Sequence, residues 1–174
     1  MKVAHHWQLR SCKQICVATV LIGLVGTVAR AQEIRIRVVD GRNGHPITNE
    51  CVNVQVGSSY RNYALIPTDK EGVALLHLVG SGTDKGVKQG GPACGRQATN
   101  NVLNFEDTIS VTSDYYIPCQ AHPIYSPWIS FSVKKVIQTG DFTANVCGKI
   151  EATPRPGELV LFVRPRTFLE RLQE

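Results

Sequence analysis

The stretch of sequence that decides the fold is IRIRVVDGRNGHPI, residues 34–47. Its first five residues alternate apolar and charged side chains, and this period of two predicts a strand with one buried face. Residues 40–44 then supply aspartate, asparagine and two glycines, which are typical of turns because they tolerate a left-handed backbone. The stretch therefore predicts a half-buried strand that ends in a tight turn.

Short strands separated by polar turns continue along the chain. Residues 52–56 alternate valine with polar side chains, and residues 73–79 form an apolar run that only His77 interrupts. A polar turn at residues 68–72 separates neighbouring strands and ends in glycine. We predict strands at residues 34–38, 52–56, 63–66, 73–79, 108–112 and 159–163, with residues 115–119 leaving the fifth strand toward a disulfide.

The C-terminal part of the chain also carries helical signals. Alternate residues from 129 to 133 are apolar, as in a strand, whereas the apolar residues at 129, 133, 136 and 137 would share one helix face. We favour a short helix over residues 132–139, with Gly140 at its C-terminal end. Thr167 is expected to cap a last helical turn that packs on its own domain and presents Phe168, Leu169 and Leu172 on one side.

The start of the chain differs in kind from the rest. Three Lys or Arg residues and no acidic residue precede an uncharged stretch, residues 15–28. Ala29-Arg30-Ala31 follows with the small-x-small pattern that signal peptidase cuts, which predicts a signal peptide over residues 1–31 that is cleaved between Ala31 and Gln32. The uncharged stretch would rise only about 21 Å as a helix, against about 30 Å for a hydrocarbon core, so a retained membrane anchor is the weaker alternative.

Processing of the leader changes what the charge of the chain implies. Four of the basic residues lie in the leader, so its removal lowers the formal net charge of +5 by four. A basic surface for nucleic acid is therefore not expected, and contact with a membrane is expected only through the leader before cleavage. Residues 32–174 have the size of a single domain in a secreted or periplasmic protein.

Four cysteines remain after residue 31, namely Cys51, Cys94, Cys119 and Cys147. An even number in an exported chain predicts two disulfides. Zinc is the less favoured alternative because no pair has the short spacing of a zinc site. Of the three possible pairings we favour Cys119–Cys147 with Cys51–Cys94. The second bridge would tether a glycine-rich loop predicted at about residues 80–101.

The first half of the domain resembles a known family. Residues 38–47, Val52-Asn53-Val54 and residues 68–72 follow the order of strand, Asp-x-x-x-Gly-x-Pro-Ile, strand and Thr-Asp-x-x-Gly. This order is similar to that of the carboxypeptidase regulatory-like domain, a transthyretin-like (prealbumin-like) β-sandwich. The resemblance covers about residues 34–78. It implies a mainly β, transthyretin-like or Ig-like sandwich, to which the chain adds one or two short helices in its C-terminal half.

The C-terminal half resembles a second group. Residues 145–149 and 156–165 look like small secreted bacterial proteins of unknown function that share this architecture. Both resemblances imply a fold and an extracytoplasmic compartment, and neither implies a reaction.

No complete set of catalytic or metal-binding residues emerges from the sequence. The histidines after the leader are His45, His77 and His122, and none begins the His-x-x-Glu pattern of zinc peptidases. His45 is expected to be exposed, and His77 to be a core or cross-strand histidine. Tyr115, Tyr116 and His122 resemble part of an intradiol dioxygenase iron site, but the paired histidine is missing. We therefore predict no catalytic residue, no metal and no cofactor.

Surface recognition is the function that the sequence favours. Tyr115, Tyr116, Tyr125 and Trp128 lie near predicted loops, and exposed aromatic residues are common in binding sites. We predict a non-catalytic exported module with a binding or structural role at the cell envelope or outside the cell, and the resemblance in fold implies a protein or a polysaccharide as its ligand. The alternatives are a small enzyme or metal-binding protein on the same fold, and an envelope protein anchored by a retained leader.

Overall fold

The computed structural model describes residues 32–59, 61–80, 94, 101–120 and 128–171, which belong to one compact unit, Ala31–Glu174. The predicted signal peptide lies outside the described residues, as does most of the glycine-rich loop. The strands are β1 Gln32–Asp40, β2 Cys51–Val56, β3 Tyr63–Pro67, β4 Val73–Val79, β5 Val102–Asn104, β6 Thr108–Ser113, β7 Tyr116–Pro118, β8 Ile129–Ser132, β9 Asp141–Phe142 and β10 Glu158–Pro165. The helices are α1 Val133–Thr139 and α2 Phe168–Arg171.

These strands form two sheets packed together. The six-stranded sheet has the order β5-β4-β1-β10-β7, and β9 also pairs with β10. The four-stranded sheet has the order β3-β2-β6-β8. Strand β1 lies in the middle of the larger sheet, antiparallel to β4 and parallel to β10, so the first and last strands of the domain are neighbours.

The core lies between the two sheets. Ile34, Ile36 and Val38 of β1 are fully buried and belong to the same apolar cluster as the valines of β2. Successive side chains of a strand point to opposite faces, so the alternation in the sequence becomes an apolar inner layer on each sheet. The prediction of a mainly β protein built from two sheets is confirmed.

The two predicted turns meet beside β1. Gly44 and Gly72 have φ angles of +75° and +73°, and each closes one of these turns. The N–H of Val38 donates to the carbonyl of Gly72 at 2.8 Å, and the N–H of Ile47 donates to the carbonyl of Val38 at 2.9 Å. Val39 also forms an antiparallel bridge with Pro46. Both turns are therefore hydrogen-bonded to the same residue of the central strand.

Residues 129–137 contain both elements that the sequence suggested. They begin as β8 and continue directly into α1, so the favoured helix at 132–139 is confirmed. The backbone of Ser132 is extended, and its hydroxyl accepts a hydrogen bond from the N–H of Lys135 at the N-terminus of the helix. Gly140 ends the helix with a φ of 77°, and its N–H donates to the carbonyl of Val136.

The last helical turn forms as predicted, but its packing differs from the expectation. Thr167 and Glu170 form a capping box in which the N–H of each residue donates to the side chain of the other. Arg164 of β10 holds the Glu170 carboxylate at 2.7 Å. Phe168 is 74% exposed, so the expectation that its side chain packs on the domain is wrong. Polar contacts attach α2 to β10 instead, while the side chains of Leu169 and Leu172 are outside the described residues.

Gly72 provides a test of the junction of the two turns. A Cβ added there would lie 2.9 Å from the carbonyl oxygen of Val38, and φ is left-handed. We expect Gly72→Ala to lower the free energy of unfolding by about 1–3 kcal/mol, measured by urea denaturation. The control is Gly80→Ala, because a Cβ at Gly80 meets no atom within 4 Å. Equal stabilities of the two variants would contradict this description of the junction.

Candidate functional site

A groove of about 380 Å³ lies on the outer face of the six-stranded sheet. Leu159, Leu161 and Val163 of β10 point into the main core, so Val160 and Phe162 point to the opposite face. These two outward side chains are nevertheless buried, because they pack in a second apolar cluster with Cys119, Cys147 and Ala152. The groove is lined by Phe142, Asn145, Gly148, Lys149, Ile150, Glu151, Ala152 and Phe162.

The disulfide between Cys119 and Cys147 attaches one wall of this groove to the sheet. Its Cα atoms are 5.3 Å apart, and Cys119 directly follows β7. The N–H of Val146 donates to the carbonyl of Cys119 at 2.7 Å, which adds a backbone contact beside the disulfide. This is the pairing that the sequence analysis favoured. A covalent link and a hydrogen bond thus hold the segment around residue 147 against the end of the sheet.

Asn145 fixes the shape of the same wall. Its side-chain amide donates to the carbonyls of Gly41 and Ile150, at 2.8 and 2.9 Å, and its side-chain oxygen accepts from the N–H of Cys147. Gly41 belongs to the first turn of the domain, and a Cβ there would lie 2.5 Å from the side-chain oxygen of Asn145. The wall can therefore approach the first turn only because residue 41 lacks a side chain.

The rim of the groove combines exposed apolar side chains with two charges. Phe142 is 47% exposed and Ile150 is 37% exposed, whereas Phe162 is buried at the floor. Lys149 and Glu151 flank Ile150 in the sequence, are exposed, and enter none of the ion pairs found among the described residues. An apolar cavity with a few polar groups at its edge is typical of a binding site. The groove can therefore bind an apolar side chain whose neighbours in the ligand are charged.

The sequence analysis missed this groove. The signal available was the run of five apolar residues in β10, which predicts a strand that is covered on both faces. Cys147 then marks the segment that could pack on the outer face of this strand.

The four aromatic residues predicted as a binding surface do not share one environment. Tyr115 is 67% exposed at the corner between β6 and β7, whereas Tyr116 is half-buried and packs against the main core. Trp128 packs edge-on against Tyr63 at a ring-centroid distance of 6.4 Å. Tyr125 lies outside the described residues. Of the nominated residues, Tyr115 is thus exposed, Trp128 is half-buried, and Tyr116 contributes to the core.

A buried carboxylate lies beneath the corner that carries Tyr115. Glu50 accepts hydrogen bonds from the hydroxyl of Ser113 and, at 3.2 Å, from the N–H of Tyr115. Burial raises the pKa of Glu50, and the nearby Asp114 adds to this effect against the opposing hydrogen bonds. Burial, followed by the charge of Glu50, also raises the pKa of Tyr116. Glu50 therefore holds the chain where it crosses from one sheet to the other.

The second disulfide joins Cys51 to Cys94 on the outer face of the four-stranded sheet. Both residues are buried and form a small apolar cluster with Leu65, against which Tyr63 packs. This pairing is also the favoured one, and it tethers the middle of the predicted glycine-rich loop through Cys94. The other residues of that loop, 81–93 and 95–100, lie outside the described residues.

The histidines do not assemble into a site in the described part of the chain. His45 is exposed, as expected. His77 is half-buried in β4, and its backbone N–H donates to the backbone carbonyl of Asn101. His122 is outside the described residues. Among the residues that were described, His, Cys, Asp and Glu form no group of three or more that could hold a metal ion. Within the same residues, no helix has the length and apolar character needed to cross a membrane.

Comparisons with family models, curated proteins and solved structures find no match for this chain. Its function must therefore be inferred from its own residues.

The raised pKa of Glu50 predicts how stability depends on pH. Its carboxyl is harder to ionise in the folded chain than in the unfolded one, so ionisation removes stability as pH rises above the ordinary value of 4.5. Glu50→Gln cannot ionise. We expect its free energy of unfolding, relative to that of the unmodified chain, to be more favourable at about pH 7 than at about pH 4.

Urea denaturation at both pH values measures this difference. Glu33→Gln is the control, because Glu33 is exposed on β1 and the replacement of an exposed side chain usually changes stability by less than about 0.5 kcal/mol. A Glu50→Gln variant whose relative stability is unchanged or lower at the higher pH would contradict the assignment.

Proposed function

We propose that this chain is an exported, non-catalytic β-sandwich module that binds an extended segment of a partner protein in the groove on its six-stranded sheet. The observation that carries the proposal is the exposure of Phe142 and Ile150 around a cavity of which one wall is attached to the sheet by a disulfide. A preformed site loses little conformational entropy when it binds, so apolar contact area can contribute to affinity.

The chemistry of the rim favours a polypeptide as the ligand. The cavity has the size of a small ligand pocket, and its floor and sides are aromatic or aliphatic at Phe142, Ile150 and Phe162. Lys149 and Glu151 place one positive and one negative charge beside it. A peptide can supply an apolar side chain together with charges of both signs on its neighbours, which complements this arrangement.

The groove itself supports a binding role more than a catalytic one. Its polar lining consists of Asn145, Lys149 and Glu151. The amide of Asn145 is already engaged by three backbone groups, and this residue has a structural task. Nucleophilic catalysis requires a nucleophile and a base within hydrogen-bond reach of each other, and the side chains that line the groove do not include such a pair.

The compartment and the family belong to the same proposal. The two disulfides suggest an oxidising, extracytoplasmic location. They agree with export directed by the leader, which we propose is a signal peptide that is cleaved before Gln32. The hydrogen-bonded turns beside Val38 are consistent with the order of motifs in the carboxypeptidase regulatory-like domain, and we propose that the first half of the domain is related to it.

The groove is tested with peptides selected from a random linear library displayed on phage. We expect the immobilised full chain to enrich peptides with an apolar residue flanked by charges, and Phe142→Ser to weaken their binding by about tenfold or more. Binding of synthetic copies is measured by isothermal titration calorimetry.

Phe105→Ser is the matched control, because Phe105 is exposed to a similar extent, 44%, but does not line the groove. Equal effects of the two substitutions, or selection of peptides without an apolar residue, would refute the groove as the binding site.

A further inference from the structure

The outer face of the four-stranded sheet carries a second arrangement of side chains that suits a ligand. Val52 and Val54 of β2 point into the core, so Asn53 between them points outward. Asn53 pairs in register with Thr112 of β6, and the next alternate residue after Thr112 is Asp114. This face lies on the opposite side of the core from the groove, and it does not depend on the function proposed above.

Two aromatic rings lie on this face. Tyr63 and Trp128 meet edge to face, with ring planes inclined at 61°. The hydroxyl of Tyr63 donates to the side-chain oxygen of Asn53 at 2.6 Å, which fixes the orientation of its ring. Burial, followed by the charge of Asp114, raises the pKa of Tyr63, so the hydroxyl remains a donor at neutral pH. The rings are therefore held in place before any ligand arrives.

Hydrogen-bonding groups lie on the same face of the sheet as the rings. The amide of Asn53 donates to one oxygen of Asp114 at 2.7 Å, and Asp114 is exposed, so its carboxylate can accept further hydrogen bonds. The hydroxyls of Ser110 and Ser130 lie 2.7 Å apart across β6 and β8 at an exposed position. Each of these hydroxyls can both donate and accept.

The absence of charged residues from the four strands of this face disfavours an anionic ligand. The residues of β2, β3, β6 and β8 include no Lys, Arg, Asp or Glu. Phosphate and other anionic ligands need basic side chains, which these four strands do not offer. The Asp114 carboxylate at the edge further disfavours an anionic ligand.

We propose that this outer face binds a neutral saccharide chain, whose sugar rings lie on Tyr63 and Trp128 and whose hydroxyls bond to Asp114, Ser110 and Ser130. A pyranose ring has one face of C–H groups, which packs on an aromatic ring, and a periphery of hydroxyls, which needs mixed donors and acceptors. The face supplies both kinds of group and carries little charge.

Trp128 itself can report the binding. The chain has two tryptophans, Trp7 and Trp128, and Trp7 lies in the leader that we propose is cleaved before Gln32, so Trp128 is the only tryptophan of the processed chain. We expect cellohexaose, xylohexaose, maltohexaose or chitohexaose to change its fluorescence in a saturable way at concentrations up to about 10 mM, with calorimetry as a second measurement. Asp114→Ala and Ser130→Ala should each weaken the binding, Asp114→Ala by about tenfold.

Two control variants separate this site from its neighbours. Tyr115→Ala, at the adjacent corner, and Phe142→Ser, in the groove, should bind the saccharide as the parent chain does. The proposal is overturned if none of the four saccharides binds, or if Asp114→Ala and Ser130→Ala bind like the parent. Tighter binding of an anionic oligogalacturonate than of every neutral saccharide would also overturn it.

Discussion

The rest of the structure depends on the burial of β10 on both of its faces. All five residues from Leu159 to Val163 are buried, although only alternate ones can point into the core between the sheets. The outward side chains of Val160 and Phe162 would otherwise expose a large apolar area to water, at a cost of about 25 cal/mol per Å². Residues 143–152, here called the cover, meet this constraint because they pack on the outer face of β10.

The cover, β7 and β9 together complete the backbone hydrogen bonds of β10. On the side away from β1, β9 pairs with the start of β10 and β7 pairs with its end. Between them, Thr143 donates its N–H to the carbonyl of Val160 and accepts from the N–H of Phe162 through its hydroxyl. The N–H of Cys119 donates to the carbonyl of Phe162. A buried strand must satisfy its backbone groups, and here two short strands and single residues do so together.

The groove is a consequence of this cover and of the way it is attached. The disulfide of Cys147 and the hydrogen bonds of Asn145 fix one wall of the groove, and Phe142 and Phe162 also line it. The four-stranded sheet also has apolar side chains on its outer face. The Cys51–Cys94 bridge covers part of that face beside Leu65. Each disulfide thus lies on the outside of a sheet, and the buried residues of the core between the sheets are all aliphatic.

Local patterns were sufficient to predict β1, β2 and β4 because alternation and apolar runs are properties of neighbouring residues. They also predicted α1, whose ends are marked by Ser132 and Gly140. The parallel pairing of β1 with β10 was not predictable, since it joins residues as far apart as Arg35 and Glu158. Strands β5 and β9 have three and two residues, too few to show a period. The groove escaped prediction because it arises from tertiary contacts of the cover.

Amide hydrogen exchange of a Cys119→Ser, Cys147→Ser double variant tests most directly whether the disulfide holds the cover on β10. We predict that the amides of Thr143 and Val146, which donate to the carbonyls of Val160 and Cys119, lose protection in this variant, while those of β1 and β2 keep theirs. Undiminished protection of Thr143 and Val146, or an equal loss of protection throughout both sheets, would contradict this role of the disulfide.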